Sequence, residues 1–448
     1  MPDLDDWCRR AVDAASGHEA VEAYAEESRR TDIRVRDGEI DSLTFAGSSG
    51  LGVRVIVDGS VGYAYAADPD LTEIPALVAR AREGAAFAQP DDANVLPLLE
   101  PVDPMPGIYR EAQLDVPMER KVALALDLER AAVAAEPSVR KVESAGYGES
   151  VGRVAVASTN GVPVEYPSTN CWAWASSLAE SNGETQTGYA FRLAYLIDEL
   201  DWRGAAEEAA ERAARLLGGV KPPTRRVPVI LDPVAAASFL SVLAGTLSAD
   251  AVQKGRSPLG PLLGEPVASE LVSLIDDGRR EDGPAAGPFD DEGVATGRTA
   301  LIERGVLRAF LHNSFTAAKA GTSSTGNASR AGYRSVPGVG PTNLFVEAGA
   351  TSLGDLLGMA EGGVYVQDVT GLHSGANPVS GEFSVGATGL RIGGGELGQP
   401  LREMTIASTL LDMLKAVAAV GSELRFFPFG GGLGSPTLLL GEMTVAGT

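Results

Sequence analysis

Four Asx-Gly pairs in the first half of the sequence, Asp37-Gly38, Asp58-Gly59, Asn160-Gly161 and Asn182-Gly183, constrain this chain more than any other feature. Asn, Asp and Gly occupy positive φ at low cost, and two in succession between alternating apolar runs specify a tight β-hairpin. Residues 20–66 alternate in this way around the first two pairs, which predicts an antiparallel meander. Residues 166–195 alternate around the last. Strands at 139–146 and 151–158 lead into the turn at Asn160-Gly161. In the first half of the chain helical spacing is confined to residues 1–20, where Leu4, Trp7, Cys8 and Val12 share a face, and to 71–87, 118–135 and 201–217.

Residues 89–107 carry five prolines and form a loop, and Lys221-Pro222-Pro223 is the strongest linker signal. The main boundary is placed near 224, dividing an N-terminal α+β domain, 1–224, from a C-terminal strand-rich domain, 225–448. A secondary division falls at 90–115. Beyond the linker, strands are predicted at 227–231, 271–275, 299–302, 306–311, 343–347, 364–369, 383–387 and 438–445, with helices at 232–248 and 403–420. The fold class is α+β, with mostly antiparallel sheets, because the strands come in hairpins and not as alternating βαβ units.

Charge excludes one class of partner. Sixty Asp and Glu against 37 Lys and Arg give a net charge of −23, a field that repels phosphate backbones and argues against nucleic acid. The two cysteines, Cys8 and Cys171, are far apart and encode neither a disulfide framework nor a Cys-rich zinc site. The N-terminus opens with acid where an export signal needs base, and the apolar run 405–420 is broken by Asp412 and Lys415. A cytoplasmic protein with no membrane association is expected.

The usual catalytic motifs are missing. His18, His312 and His373 lie far apart, and no His-Glu-x-x-His occurs. Gly393-x-Gly395-x-x-Gly398 matches a dinucleotide pattern, but a chain with 54 glycines produces it by chance, and its hairpin-rich context reads as a turn. There is no Walker loop and no Gly-x-Ser-x-Gly, and Ser138-x-x-Lys141 sits at a strand start. Two polar loops are dense in functional residue types: 322–343, with Asn327 and Arg330, and 371–384, with His373 and Asn377. Such loops line sites or simply form turns.

Taken in order, several segments are more informative than any one motif: Val35-Arg-Asp-Gly-Glu-Ile40, Gly50-Leu-Gly-Val-Arg-Val55, Leu231-Asp-Pro, Phe289-Asp-Asp-Glu-Gly293, Ser324-Thr-Gly-Asn-Ala, Pro341-Thr-Asn-Leu, Gly371-Leu-His-Ser-Gly-Ala-Asn-Pro-Val-Ser-Gly-Glu-Phe-Ser384 and Arg402-Glu-Met-Thr-Ile-Ala. Over nearly its whole length the chain resembles the TldD/PmbA family, and within it the PmbA (TldE)-type subunits. TldD-type subunits carry a His-Glu-x-x-x-His helix that holds a metal together with a C-terminal cysteine. In this sequence those positions fall on Leu240, Ser241 and Gly245, and the loop Phe429-Gly-Gly-Gly-Leu-Gly-Ser-Pro436 has no cysteine.

The resemblance therefore implies a subunit with no catalytic residue and no metal of its own, paired with a TldD-like metalloprotease that carries zinc. The complex would act on unfolded or modified peptides, taken as extended chains. Asn327, Arg330, His373 and Asn377 are the expected contacts to substrate or partner. Two other readings stay open. One is a subunit of an amide-cleaving complex in antibiotic or natural-product biosynthesis, in keeping with 31 Arg against 6 Lys, which suggests a GC-rich genome. The other is a stand-alone homodimer that binds peptides or another ligand.

Overall fold

The computed structural model describes residues 3–447. Its first half is one six-stranded antiparallel sheet with helices on one face. The elements are α1 (Leu4–Asp13), β1 (Ala20–Arg36), β2 (Glu39–Val57), β3 (Ser60–Ala67), α2 (Ile74–Ala85), α3 (Met118–Ala135), β4 (Val139–Ser158), β5 (Val164–Ser181), β6 (Glu184–Ala194) and α4 (Trp202–Ala214). The sheet order is β3-β2-β1-β4-β5-β6, so two meanders meet along β1 and β4.

Three hairpin turns form as the sequence predicts. Asp37 and Gly38, Asp58 and Gly59, and Asn182 and Gly183 all have positive φ on both residues, the geometry that matches strand twist. Asn160-Gly161 differs, because only Gly161 has positive φ and the connection from β4 to β5 is wider. Leu99 pins it, donating its N–H to the Asn160 carbonyl at 2.9 Å and accepting from the Val162 N–H at 3.0 Å.

The strands expected separately at 139–146 and 151–158 are one continuous 20-residue strand, β4. Gly146, Gly148 and Glu149 lie inside it, held by unbroken pairing to β1 on one side and β5 on the other. Two neighbours outweigh the weak strand preference of glycine.

Alternation along β1 sorts its side chains cleanly. Val21, Ala23 and Ala25 pack under α1 and α2, and Ile33 and Val35 under α3 and α4. Each of the valines and the isoleucine contributes about 1.5–3 kcal/mol on burial. The intervening residues, Glu22, Tyr24, Glu26, Ser28, Arg30, Asp32 and Arg34, point to the other face.

The second half contains β7 (Arg225–Leu231), α5 (Pro233–Thr246), α6 (Ala249–Gln253), β8 (Leu274–Asp277), β9 (Arg298–Glu303), β10 (Val306–Leu307), α7 (Ser314–Ala320), β11 (Ala328–Ser329), β12 (Gly338–Val339), β13 (Asn343–Val346) and α8 (Leu353–Met359). It continues with β14 (Val364–Thr370), α9 (Leu372–Gly375), β15 (Ala376–Asn377), β16 (Glu382–Gly393), β17 (Glu396–Thr409), α10 (Leu410–Lys415), β18 (Val417–Val420), β19 (Arg425–Phe427), β20 (Gly432–Ser435) and β21 (Leu438–Ala446). Strands β14, β7, β21, β17 and β16 pair in a ring that β14–β16 closes into a barrel. A second sheet, β10-β9-β8-β13-β20-β19, packs beside it. Among the strands of the described residues, only β7–β14 and β13–β20 pair in parallel.

One prediction fails here. The helix expected at 403–420 is the end of β17, the single turn α10, and β18. Met404 and Ile406 are buried at period two against β16 and β21, and the helical reading took these apolar residues as one stripe. The Gly393-x-Gly395-x-x-Gly398 pattern is the hairpin between β16 and β17, turned by Gly394 and Gly395, both with positive φ. Among the described residues no helix is long and apolar enough to cross a membrane.

Candidate functional site

Helix α5 begins where β7 ends. Asp232 caps it, accepting from the Val234 N–H at 3.0 Å, and Pro233 occupies the first turn, where its missing N–H costs nothing. The helix packs against β19 and β20, so the loop between those strands, which contains Phe429 to Gly431, lies beside it. The two sequence segments that the resemblance joins into a metal site are thus brought together in space.

The residues there do not fit a metal. Leu240 is fully buried in the main apolar core, the Ser241 hydroxyl donates to the Ser238 carbonyl at 2.7 Å, and Gly245 is exposed with open space around it. None carries an imidazole or carboxylate, and among the described residues no group of three or more His, Cys, Asp or Glu could hold an ion.

The four loop residues separate into two pairs. Asn327 is 1% exposed, donates to Asp276 Oδ2 at 2.7 Å and to the Gly340 carbonyl at 3.2 Å, and accepts from Thr325 Oγ1 at 2.7 Å. Burial pushes the Asp276 carboxyl up to about 6 although Asn327 and Thr342 hydrogen-bond it. The Arg330 side chain is wholly buried, bonded to Glu22, to the Asp291 carbonyl at 3.0 Å and to the Ser335 carbonyl at 2.8 Å. Both residues therefore spend their hydrogen bonds inside the chain. His373 and Asn377 are exposed on the segment spanning α9 and β15, where Asn377 Oδ1 accepts from the Val379 N–H at 2.9 Å and closes a turn.

Arg330 belongs to a buried joint between the first and second halves of the chain. Glu22 on β1 binds both Arg54 and Arg330, and Arg54 also binds Glu292 at 2.8 Å. Glu292 in turn accepts from the Ser314 N–H at 2.8 Å. Asp290 accepts from the Glu292, Val294 and Ala328 N–H groups, yet burial and the neighbouring Glu292 hold its carboxyl well above the usual range. Asp291 accepts from the Arg330 N–H at 2.6 Å and is pushed up to about 6 by burial. Tyr63 donates to the Tyr333 carbonyl at 2.7 Å, and the Arg330 guanidinium lies 5.0 Å from the Tyr24 ring centre.

A second tie runs from α4. Arg212 reaches Asp232 at 3.1 Å and Asp368 at 3.2 Å, while Tyr365 donates to Asp232 at 2.6 Å. The same carboxylate that starts α5 thus anchors the first half of the chain. Sequence reasoning singled out the segments Gly50–Val55, with Arg54, and Phe289–Gly293, with Glu292, but missed Glu22, because a lone charge in a strand carries no signal of what covers it.

Clefts large enough for a small ligand open on the surface of the described residues. One, about 650 Å³, is mostly apolar and lined by Pro101, Met105, Tyr109, Val164, Tyr166 and Phe289. One of about 390 Å³ lies between the two halves beside Arg54, Lys254, Asn313 and Phe315. The third, about 620 Å³, lies on the uncovered end of the first sheet.

Comparison with known proteins agrees along the whole length. Residues 224–447 match the model for the PmbA/TldA metallopeptidase C-terminal domain, residues 21–85 that for domain 1, and residues 111–217 that for the central domain. The chain is 26% identical over 461 residues to "Metalloprotease PmbA" of Escherichia coli O157:H7, covering 99% of this chain and 96% of that one. It is 26% identical over 458 residues to "Metalloprotease TldD homolog" of Haemophilus influenzae, covering 96% and 93%. The crystal structure of TldE from Thermococcus kodakarensis superposes with a TM-score of 0.90 at 23% identity, covering 99% and 100%.

Proposed function

This chain belongs to the PmbA/TldD family, and from that membership we propose that it is the metal-ligand-free subunit of a heteromeric metallopeptidase. Its partner is a TldD-like chain that holds the zinc, and the complex cleaves unfolded or modified peptides. The observation that carries this reading is the donor set at α5. Leu240, Ser241 and Gly245 stand where the resemblance puts the ligands and base, and the adjoining loop Phe429–Pro436 has no cysteine, while the fold around them is complete. A chain that keeps the architecture but not the ligands is suited to bind and to wall off, not to activate water.

Its own residues support a scaffolding role. The joint around Glu22, Arg54 and Arg330 and the tie at Arg212 and Asp232 fasten the long sheet to the barrel half, so both present one rigid wall to a partner. Extended substrates suit such a complex, since main-chain pairing gives affinity with little sequence demand.

Co-expression with a TldD-like protein tests this directly. The expected result is a stable heteromer by mass measurement, whose cleavage of an unfolded peptide is abolished by a chelator and by omission of either chain. Cleavage by this chain alone would overturn the proposal, as would a TldD-like chain that is fully active without it.

A further inference from the structure

The uncovered end of the first sheet carries a regular grid of side chains. Across the strands, Arg34 of β1 stands level with Gly146 of β4, Trp174 of β5 and Phe191 of β6. One row along, Asp32 is level with Gly148, Trp172 and Leu193. On the other side Ser144 and Ser176 lead to Tyr189, which is 43% exposed. The glycines are what make this floor. A Cβ at 146 or 148 would overlap the ring of Trp174 or Trp172, so the two indoles lie down on β4 where any other residue would lift them.

The charges on this floor are unevenly satisfied. Arg30 is paired with Asp32 at 2.5 Å and its guanidinium lies 5.0 Å from the Trp172 ring centre. Arg34 has no ion-pair or hydrogen-bond partner among the described residues. Among the described residues Glu143, at the bulge in β4, accepts only from the Ser176 hydroxyl, at 2.9 Å, and has no cation partner. Arg34 and Glu143, a cation and an anion without ion-pair partners among the described residues, therefore border an aromatic floor in a recess of about 620 Å³, a size that holds a small ligand. Arg34 on β1 is level with Gly146 of β4, so it stands one strand across from Glu143 and three residues further along, roughly 10 Å in the strand direction, which is about the span of three extended residues.

We propose that this recess binds a short zwitterionic peptide with aromatic or apolar side chains, its carboxylate on Arg34, its ammonium near Glu143, and its side chains on Trp172 and Trp174. The complementary charges select both termini at once, which a protein strand or a sugar does not offer. Stacking on flat indoles gives affinity with low side-chain specificity. The inference takes the peptide class from the reading above, but its site lies away from α5 and needs no cleavage.

The test uses the full chain without any partner and follows tryptophan fluorescence during titration with the tripeptide Phe-Ser-Phe. Acetylating its N-terminus or amidating its C-terminus should weaken binding about fivefold each, the worth of one partly exposed ion pair. Arg34→Gln should remove the penalty for amidation alone, Glu143→Gln the penalty for acetylation alone, and Arg34→Lys should restore the first. Both variants alter exposed side chains, and unchanged circular dichroism confirms their fold. Absence of binding, equal binding of free and capped peptides, or penalties that survive both substitutions would overturn the proposal. Because no partner or cleavage enters the assay, failure of the heteromer would leave this result independent.

Discussion

The two ends of strand β1 carry the same kind of residue on the same face and meet opposite fates. At one end Glu22, Tyr24 and Glu26 are closed over by residues 290–335 of the second half, and nearly every polar atom finds a partner. At the other, Arg30, Asp32 and Arg34 stay open beside two indoles, and Arg34 pairs with nothing among the described residues. The lesson concerns cost. A buried charge must be matched, so the covered end has become a structural lock, whereas an exposed charge is free to wait for a ligand.

That contrast is testable by substitution. The largest effect is expected at the lock: Arg330→Ala leaves Glu22 short of a partner inside the joint and should cost about 3–5 kcal/mol in urea unfolding. A loss below about 1 kcal/mol would show that the joint is wetter than its burial indicates.

Acid should strengthen the covered end. Asp276 and Asp291 both stand at about 6, raised by burial from an ordinary 3.8. Between those values the folded chain holds protons that the unfolded chain has released, so stability falls as pH rises through this window and is level above it. Bringing the pH from 7 to 5 should raise unfolding free energy by about 2–3 kcal/mol for the two groups together, and Asp291→Asn should remove about half of that gain. A flat or reversed urea midpoint over this range would refute the assignment.

At the open end, Gly148→Ala should cost about 1–3 kcal/mol, because the added methyl forces Trp172 off the sheet. Its emission should move toward that of a solvated indole. The smallest effect belongs to Arg34→Gln, which should leave stability within about 0.5 kcal/mol. A large loss there would mean that Arg34 is a structural residue and that the two ends of β1 are alike after all.

Sequence reasoning was strongest where local chemistry decides conformation. The Asx-Gly pairs gave three hairpins, Met118–Ala135 is helical over the predicted span, and the glycine-rich stretch at 393–398 is a turn. It failed at 403–420, where apolar residues fit two periods and only pairing with β16 and β21 selects the strand. Among site residues, the emptiness of the α5 positions could be read from Leu240, Ser241 and Gly245 alone. The burial of Asn327 and Arg330 could not, because a polar loop residue looks the same whether it faces solvent or a second layer of protein.

By itself, then, the sequence determined the hairpin turns, the long helices of the first half and the α+β class, since each depends on residue type and on neighbours a few positions away. Only the tertiary structure decided which face of β1 is covered, which arginine is locked and which is free, and that glycines of β4 bed the tryptophans of β5. Those outcomes depend on contacts between residues up to some 300 positions apart, such as Glu22 with Arg330, and a side chain's chemistry does not encode the partner that long-range packing brings to it.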